Sequence, residues 1–230
     1  MPNNFFQFKH FKIDQDKCAM KVSTDSVLLG AWAKVSKAYK ILDVGTGTGV
    51  IALMMAQKSN AKIFAIEIDE NSVQQAKENF EKSKYSLQIN LEKISLQEFS
   101  KKSRQKFDLI ITNPPYFSNS LKSMDSRRND VRHNHLLSQG DLIWGSKKLL
   151  NEKGKLILIL PISEAKKFID EAKKNNLFLC ELLKVYTRIG QMEAKRYIMS
   201  FESNKRTVEE NELIMEKENI GAFTEEYKIL

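Results

Sequence analysis

Residues 41–53 read Ile-Leu-Asp-Val-Gly-Thr-Gly-Thr-Gly-Val-Ile-Ala-Leu, an apolar strand running into three alternating glycines and then apolar residues at helical spacing. Glycine lets the backbone turn sharply and lets a ligand approach the main chain where side chains would collide. The first turn of the following helix presents N–H groups that have no partner within the helix. A dinucleotide site is the first competitor for such a loop. Its fingerprint, however, is G-x-G-x-x-G over a pyrophosphate. Here the glycines alternate strictly and Asp43 precedes them. A carboxylate there repels a pyrophosphate and can face a cationic amino-acid moiety.

The next strand, Lys62 to Asp69, ends in acids. Glu67 falls about 20 residues beyond the glycine loop, where a carboxylate accepts from ribose hydroxyls in nucleotide-binding βαβ units. Asp69 reads as the cap of a helix starting near Glu70. Further on, the apolar run Phe107–Ile111 leads into Asn113-Pro114-Pro115-Tyr116. Two prolines remove two backbone donors and fix two φ angles, so the Asn carbonyls are held rigid and unpaired. That arrangement suits acceptance of both hydrogens of a planar NH2 group while an aromatic ring stacks on the base or amide carrying it. An ordinary strand-ending turn is the competing reading.

Strand–helix units recur along the chain. Strands fall at 41–44, 62–67, 87–92, 107–111 and 155–160, with helices near 49–58, 70–82, 138–150 and 163–175. The strands Leu182–Tyr186 and Arg196–Phe201 are close enough for an antiparallel hairpin. The pattern predicts an α/β fold, a doubly wound, mostly parallel seven-stranded sheet ending in that hairpin. An aromatic and basic hairpin extension occupies 1–24, the main domain 25–204 and a polar, loosely attached tail 205–230. Thr24-Asp25-Ser26 reads as the capped start of a helix.

With 230 residues, 42% hydrophobic, the chain can bury a full core, and no run reaches the ~18 apolar residues of a membrane span. No secretory segment opens it, and no Cys/His spacing suggests a metal, so a cytoplasmic protein with buried free Cys18 and Cys180 is expected. The net charge of +8 points to a polyanionic partner. Basic residues cluster around the Asn-Pro-Pro-Tyr turn: Lys101, Lys102, Arg104 and Lys106 before it, Lys122, Arg127, Arg128 and Arg132 after it. A phosphate backbone could run there, and a solvated loop is the alternative. Nothing in the sequence points to an obligate protein partner.

The glycine loop, acidic strand end and Asn-Pro-Pro-Tyr tetrad, in that order, resemble class I S-adenosylmethionine-dependent methyltransferases of the amino-group-methylating branch. The opening Gln15–Trp32, with Ala52–Gln57, Gln75–Asn79, Asn113–Phe117, Arg127-Arg128 and Arg132-His133, is similar to bacterial tRNA1(Val) adenine-N6-methyltransferases over nearly the whole chain. That resemblance implies S-adenosyl-L-methionine as cofactor and adenosine 37, beside the anticodon of valine tRNA, as target. It implies that Asp43, Gly45, Thr46, Gly47 and Gly49 cradle the cofactor's methionine end, that Glu67 holds its ribose, and that Lys21 and Thr24 cover it. Asn113 and Pro114 would accept from the target amine, and Tyr116 and Phe117 would stack on the base. Arg127, Arg128 and Arg132 would bind RNA. Ser95 stands where the family usually places an Asp toward the cofactor adenine, a weaker acceptor than a carboxylate.

By themselves the residues specify only an amine on a nucleobase or an amide. Ribosomal-RNA methylation, glutamine methylation of a release factor and a non-catalytic RNA-binding module are the other readings. The first differs in RNA alone, the second calls for an N-terminal helical domain, and the third conflicts with the intact glycine loop.

Overall fold

The computed structural model describes residues 3–115, 137–219 and 221–229. Strands β1 (Phe5–Gln7) and β2 (Lys12–Asp14) pair as a separate antiparallel hairpin, followed by helix α1 (Thr24–Trp32). The units β3 (Lys40–Val44) and α2 (Val50–Lys58), β4 (Lys62–Glu67) and α3 (Glu70–Glu81), β5 (Ile89–Lys93) and α4 (Leu96–Lys102) come next, then β6 (Phe107–Thr112). After residue 137 come α5 (Gln139–Leu149), β7 (Leu150–Pro161), α6 (Ile162–Lys174), β8 (Phe178–Arg188), β9 (Arg196–Glu202), β10 (Glu209–Glu216) and α7 (Glu225–Ile229).

The inner strands are apolar on both faces because helices cover both. Ile41, Ile63, Leu109, Ile111, Ile157 and Ile159 enter one core with α1 and α2. Their neighbours Leu42, Phe64, Ile110, Leu156, Leu158 and Leu160 enter the other, with α4, α5 and α6. Two-residue alternation thus divides each strand between two cores. The strand order is β10-β8-β9-β7-β6-β3-β4-β5, parallel except for β9, which runs antiparallel between β7 and β8. The expected doubly wound sheet and its C-terminal hairpin are present.

The sheet has eight strands where seven are expected, because the polar tail is not loose. β10 pairs in parallel with β8, buries Leu213 and places Lys184 against Glu210 and Arg188 against Glu216. Half of its eight residues are exposed. An edge strand is recruited by the open backbone groups of its neighbour more than by its own hydrophobicity, so composition alone hides it. Helix α1 is capped by Ser23, one residue before the expected region, with Ser26 completing a capping box. The α3 cap is Asp69, as expected. Cys18 and Cys180 are both free and buried. No helix among the described residues is long and apolar enough to cross a membrane.

Chain order reverses between β3 and β6, and ligands bind open α/β sheets at the carboxyl ends of strands beside such a point. Asp43 pairs with Ile111 in register, so Gly45 and Asn113, each two residues on, leave the sheet side by side. The Thr112 hydroxyl donates to the Val44 carbonyl at 2.8 Å and ties the two strand ends together. Behind the loop, Gly49 caps α2 at φ +83°, and a Cβ there would lie 2.4 Å from the buried Phe80 ring. Gly49→Ala is therefore expected to cost about 2–4 kcal/mol, from left-handed strain plus overpacking. Urea unfolding of the two proteins checks this; equal midpoints would mean that Phe80 moves aside freely.

Candidate active site

A pocket of about 400 Å³ opens at this switch point. Its floor is Gly45–Thr48. Its walls come from Ile66–Asp69 after β4, Ile94–Gln97 before and within α4, Thr112–Pro115 after β6 and Ala19–Lys21 before α1. Gly45 and Gly47 have φ values of +69° and +54°, and the space where their Cβ atoms would stand holds no atom within 4 Å. The loop thus turns in left-handed conformations that favour glycine, and it leaves room against the main chain for a ligand.

Glu67 lines the pocket and fastens the loop. One carboxylate oxygen accepts from Gly47 N at 3.0 Å, and the other accepts from Ile68 N and Asp69 N at 2.8 and 3.1 Å. Asp43 sits beneath the loop, fully buried and outside the pocket lining. Its Oδ2 accepts from the Thr46 hydroxyl at 2.6 Å and from Ala52 N, third residue of α2, at 3.1 Å. The acid that precedes the glycines therefore caps α2 from the neighbouring strand. Its Oδ1 is buried without a partner among the described residues. Burial pushes the Asp43 carboxyl from 3.8 up to about 7, opposed by the bonds from Thr46 and Ala52 and assisted by the charge of Glu67.

The other expected residues divide. Lys21, Gly45, Thr46, Gly47, Ser95, Asn113 and Pro114 all line the pocket. Lys21 also donates to the Asn3 carbonyl at 3.2 Å. The Ser95 hydroxyl accepts from Glu98 N at 3.2 Å and caps α4, so the side chain holds a helix end as well as a pocket wall. Two expected contacts lie elsewhere. Thr24 is exposed and outside the lining, where Ser23 and Ser26 stand instead, because the helix starts one residue earlier than read. Gly49 is also outside the lining and turns toward Phe80. Tyr116, Phe117, Arg127, Arg128 and Arg132 fall outside the described residues.

Sequence reasoning missed Met20, Ile68, Leu96 and Gln97 as lining residues. Ile68 carried a signal, an apolar residue directly after an acidic strand end, and it is half-exposed at the rim. Gln97 donates to Asp141 of α5 at 3.1 Å, a partner that only the fold supplies. Two buried amides of α3 position the N-terminal segment over the loop. Asn79 donates to the Asp14 and Thr48 carbonyls, each at 2.8 Å, and Gln75 accepts from Lys17 N at 2.9 Å.

A family model described as a methyltransferase domain matches residues 35–218. The chain is 44% identical over 219 residues to a tRNA1(Val) (adenine(37)-N6)-methyltransferase of Trichodesmium erythraeum, covering 94% of this chain and 91% of that protein. A protein of the same name in Parabacteroides distasonis is 49% identical, over 77% of this chain and 75% of that one. A solved structure of a predicted O-methyltransferase from Agrobacterium tumefaciens shares the fold at a TM-score of 0.67 and 19% identity, covering 89% and 94% of the two chains. With its glycine loop, acidic strand end and Asn-Pro-Pro turn gathered around one pocket, the chain belongs to the tRNA1(Val) (adenine(37)-N6)-methyltransferase family.

Proposed function

We propose that the protein transfers a methyl group from S-adenosylmethionine to N6 of adenosine 37 in valine tRNA. The observation that carries this is the placement of Asn113 and Pro114 in the same pocket as the glycine loop, on adjacent parallel strands. An amine acceptor and a nucleotide cradle then share one opening.

The residues fit the cofactor. The open space over Gly45 and Gly47 admits a ligand against the main chain, and the unpartnered Asp43 Oδ1 lies buried beneath that loop, where a carboxylate charge would act on a positive group through the loop without touching it. Gly45, Thr46 and Gly47 would hold the methionine end, Glu67 the ribose, and Ser95 and Ile68 the adenine side. Lys21 would close the N-terminal wall. The bound cofactor supplies an electrophilic methyl on a sulfonium.

The chain's own work is positioning. The adenine amine has its lone pair delocalised into the ring and is a poor nucleophile. Acceptance of its two hydrogens by the Asn113 side chain and the Pro114 carbonyl would favour a more tetrahedral nitrogen with its lone pair free. The prolines keep those acceptors rigid, so reorganisation is small and no strong general base is required. Tyr116 would stack on the base, and Arg127, Arg128 and Arg132 would meet phosphates. An anticodon loop surrenders a base at lower cost than a duplex.

The test is transfer of labelled methyl to total RNA lacking this mark, followed by nucleoside analysis. N6-methyladenosine confined to one valine tRNA is the expected result. Label in ribosomal RNA would change the substrate, and label in protein would give the amide reading. Ser95→Asp, which retains the α4 cap and offers a charged acceptor, is expected to tighten cofactor binding about tenfold in calorimetry. Unchanged affinity would place Ser95 in the capping role alone.

A further inference from the structure

The β1–β2 hairpin exposes what a small ribbon should hide. All three residues of β1 are exposed, and two of them, Phe5 and Phe6, remain 42% exposed each. A two-stranded ribbon is marginal in water unless its apolar face is covered. Here only part of that face is. Ile13 and Phe11 enter the core, while Phe6 continues outward as the open end of a row of aromatic rings. Its ring centroid lies 4.8 Å from that of Phe8, which lies 4.7 Å from that of Phe11. On the opposite face, the Lys12 ammonium sits 4.5 Å from the centroid of Phe5. Lys9 and His10 are exposed at the turn between the strands.

The hairpin is also built onto the pocket. Buried Gln15 donates to the Asn3 carbonyl and accepts from Val22 N, each at 2.9 Å, and Lys21, a pocket-lining residue, reaches the same Asn3 carbonyl. The segment that walls the pocket thus holds the start of β1. Phe5 lies two residues further along, ~7 Å at an extended rise. Exposed rings interleaved with cations are the composition of single-strand nucleic-acid platforms, where bases stack on aromatics and the backbone follows positive charge.

We propose that Phe5 and Phe6, one on each face of the ribbon, form stacking surfaces for unpaired nucleobases of the RNA substrate next to the one entering the pocket. Lys12 beside Phe5 is paired with Asp14 at 2.7 Å, and the exposed Lys9 and His10 at the turn, in a chain of net charge +8, leave positive charge for a polyanionic strand. The platform extends the tRNA reading above and names the protein surface that receives the bases neighbouring the target.

The experiment measures binding of a fluorescein-labelled valine anticodon stem-loop by anisotropy, at low and high salt, beside methylation kinetics on the full tRNA. Phe5→Ala/Phe6→Ala is expected to weaken binding and raise KM for tRNA about tenfold or more, with cofactor affinity unchanged. Because stacking is not a phosphate contact, the same fold-loss is expected at both salt concentrations. Phe5→Ala alone leaves the Phe6–Phe8–Phe11 row intact and is expected to lose part of the affinity. Phe5→Trp/Phe6→Tyr should restore it. If the double variant binds as tightly as the wild type, or the wild type binds no stem-loop, the proposal is wrong. Loss of self-association in sedimentation with RNA affinity unchanged would give the face to a second copy and would also overturn it. If the wild type binds RNA but methylates none, the tRNA reading fails, and a weakened double variant still supports the platform.

Discussion

Asn113→Ala is expected to lower kcat for methyl transfer by about 10²–10³-fold, the usual consequence of removing one of two preorganised polar groups at a reacting centre. Asn113 stands half-buried at the end of β6, behind it a strand locked to its neighbour by the bond from Thr112 to the Val44 carbonyl. Alanine leaves Pro114 and Pro115 in place, so the turn keeps its shape while one acceptor is lost. Cofactor affinity, measured by calorimetry, should change far less than kcat. Single-turnover transfer to valine tRNA separates the chemical step from product release. A variant that retains wild-type single-turnover rates would make the Asn-Pro-Pro segment a structural turn.

The second large effect is at Asp43, whose carboxyl lies at about 7 because burial disfavours its charged form. The fold prefers the protonated carboxyl, so its stabilising effect is full below the ordinary value near 3.8 and is lost as pH rises through about 7. Complete ionisation then removes on the order of 4 kcal/mol. Asp43→Asn mimics the protonated state, since one amide oxygen can still accept from both Thr46 and Ala52. Without cofactor, the variant's advantage over the wild type should be small near pH 4, grow steadily with pH and reach its full size near pH 8. With cofactor, the order should reverse. A cationic ligand group favours the ionised carboxylate, so wild-type affinity should rise from pH 6 to 8 and that of the variant should stay low and flat. Thermal melts across that range, with and without S-adenosylmethionine, give both answers. Parallel curves for the two proteins would remove Asp43 from the linkage.

How far the sequence could be read depended on the range of the interaction behind each feature. Left-handed turns at Gly45 and Gly47, the rigidity of Pro114 and Pro115 and the Asp69 cap are local, set by residues within a few positions. Apolar runs such as Ile41-Leu42 and Leu156–Leu160 carry the two-sided burial of inner strands. These signals suffice for an α/β fold and for the pocket's principal residues. Two of the residues that lie outside the pocket lining share a cause. Gly49 resembles Gly45 and Gly47 in sequence, and only the arrival of Phe80 from α3 makes it a packing glycine. Thr24 and Ser23 are residues of similar capping ability, and the observed start of α1 leaves Thr24 exposed and outside the pocket lining.

By itself, then, the sequence determined the parallel α/β architecture and the backbone turns at the glycine loop, and it proposed the chemistry of the Asn-Pro-Pro turn. Glycine and proline act on their own backbone, and periodicity acts on the nearest turn or pleat. Only the tertiary structure decided that Asp43 lies under the loop and caps α2, that Gln75 and Asn79 fasten the N-terminal hairpin, and that the polar tail becomes an eighth strand. Each of these depends on a partner brought from elsewhere in the fold, and a buried carboxylate or amide or an open strand edge takes whichever complementary group packing delivers.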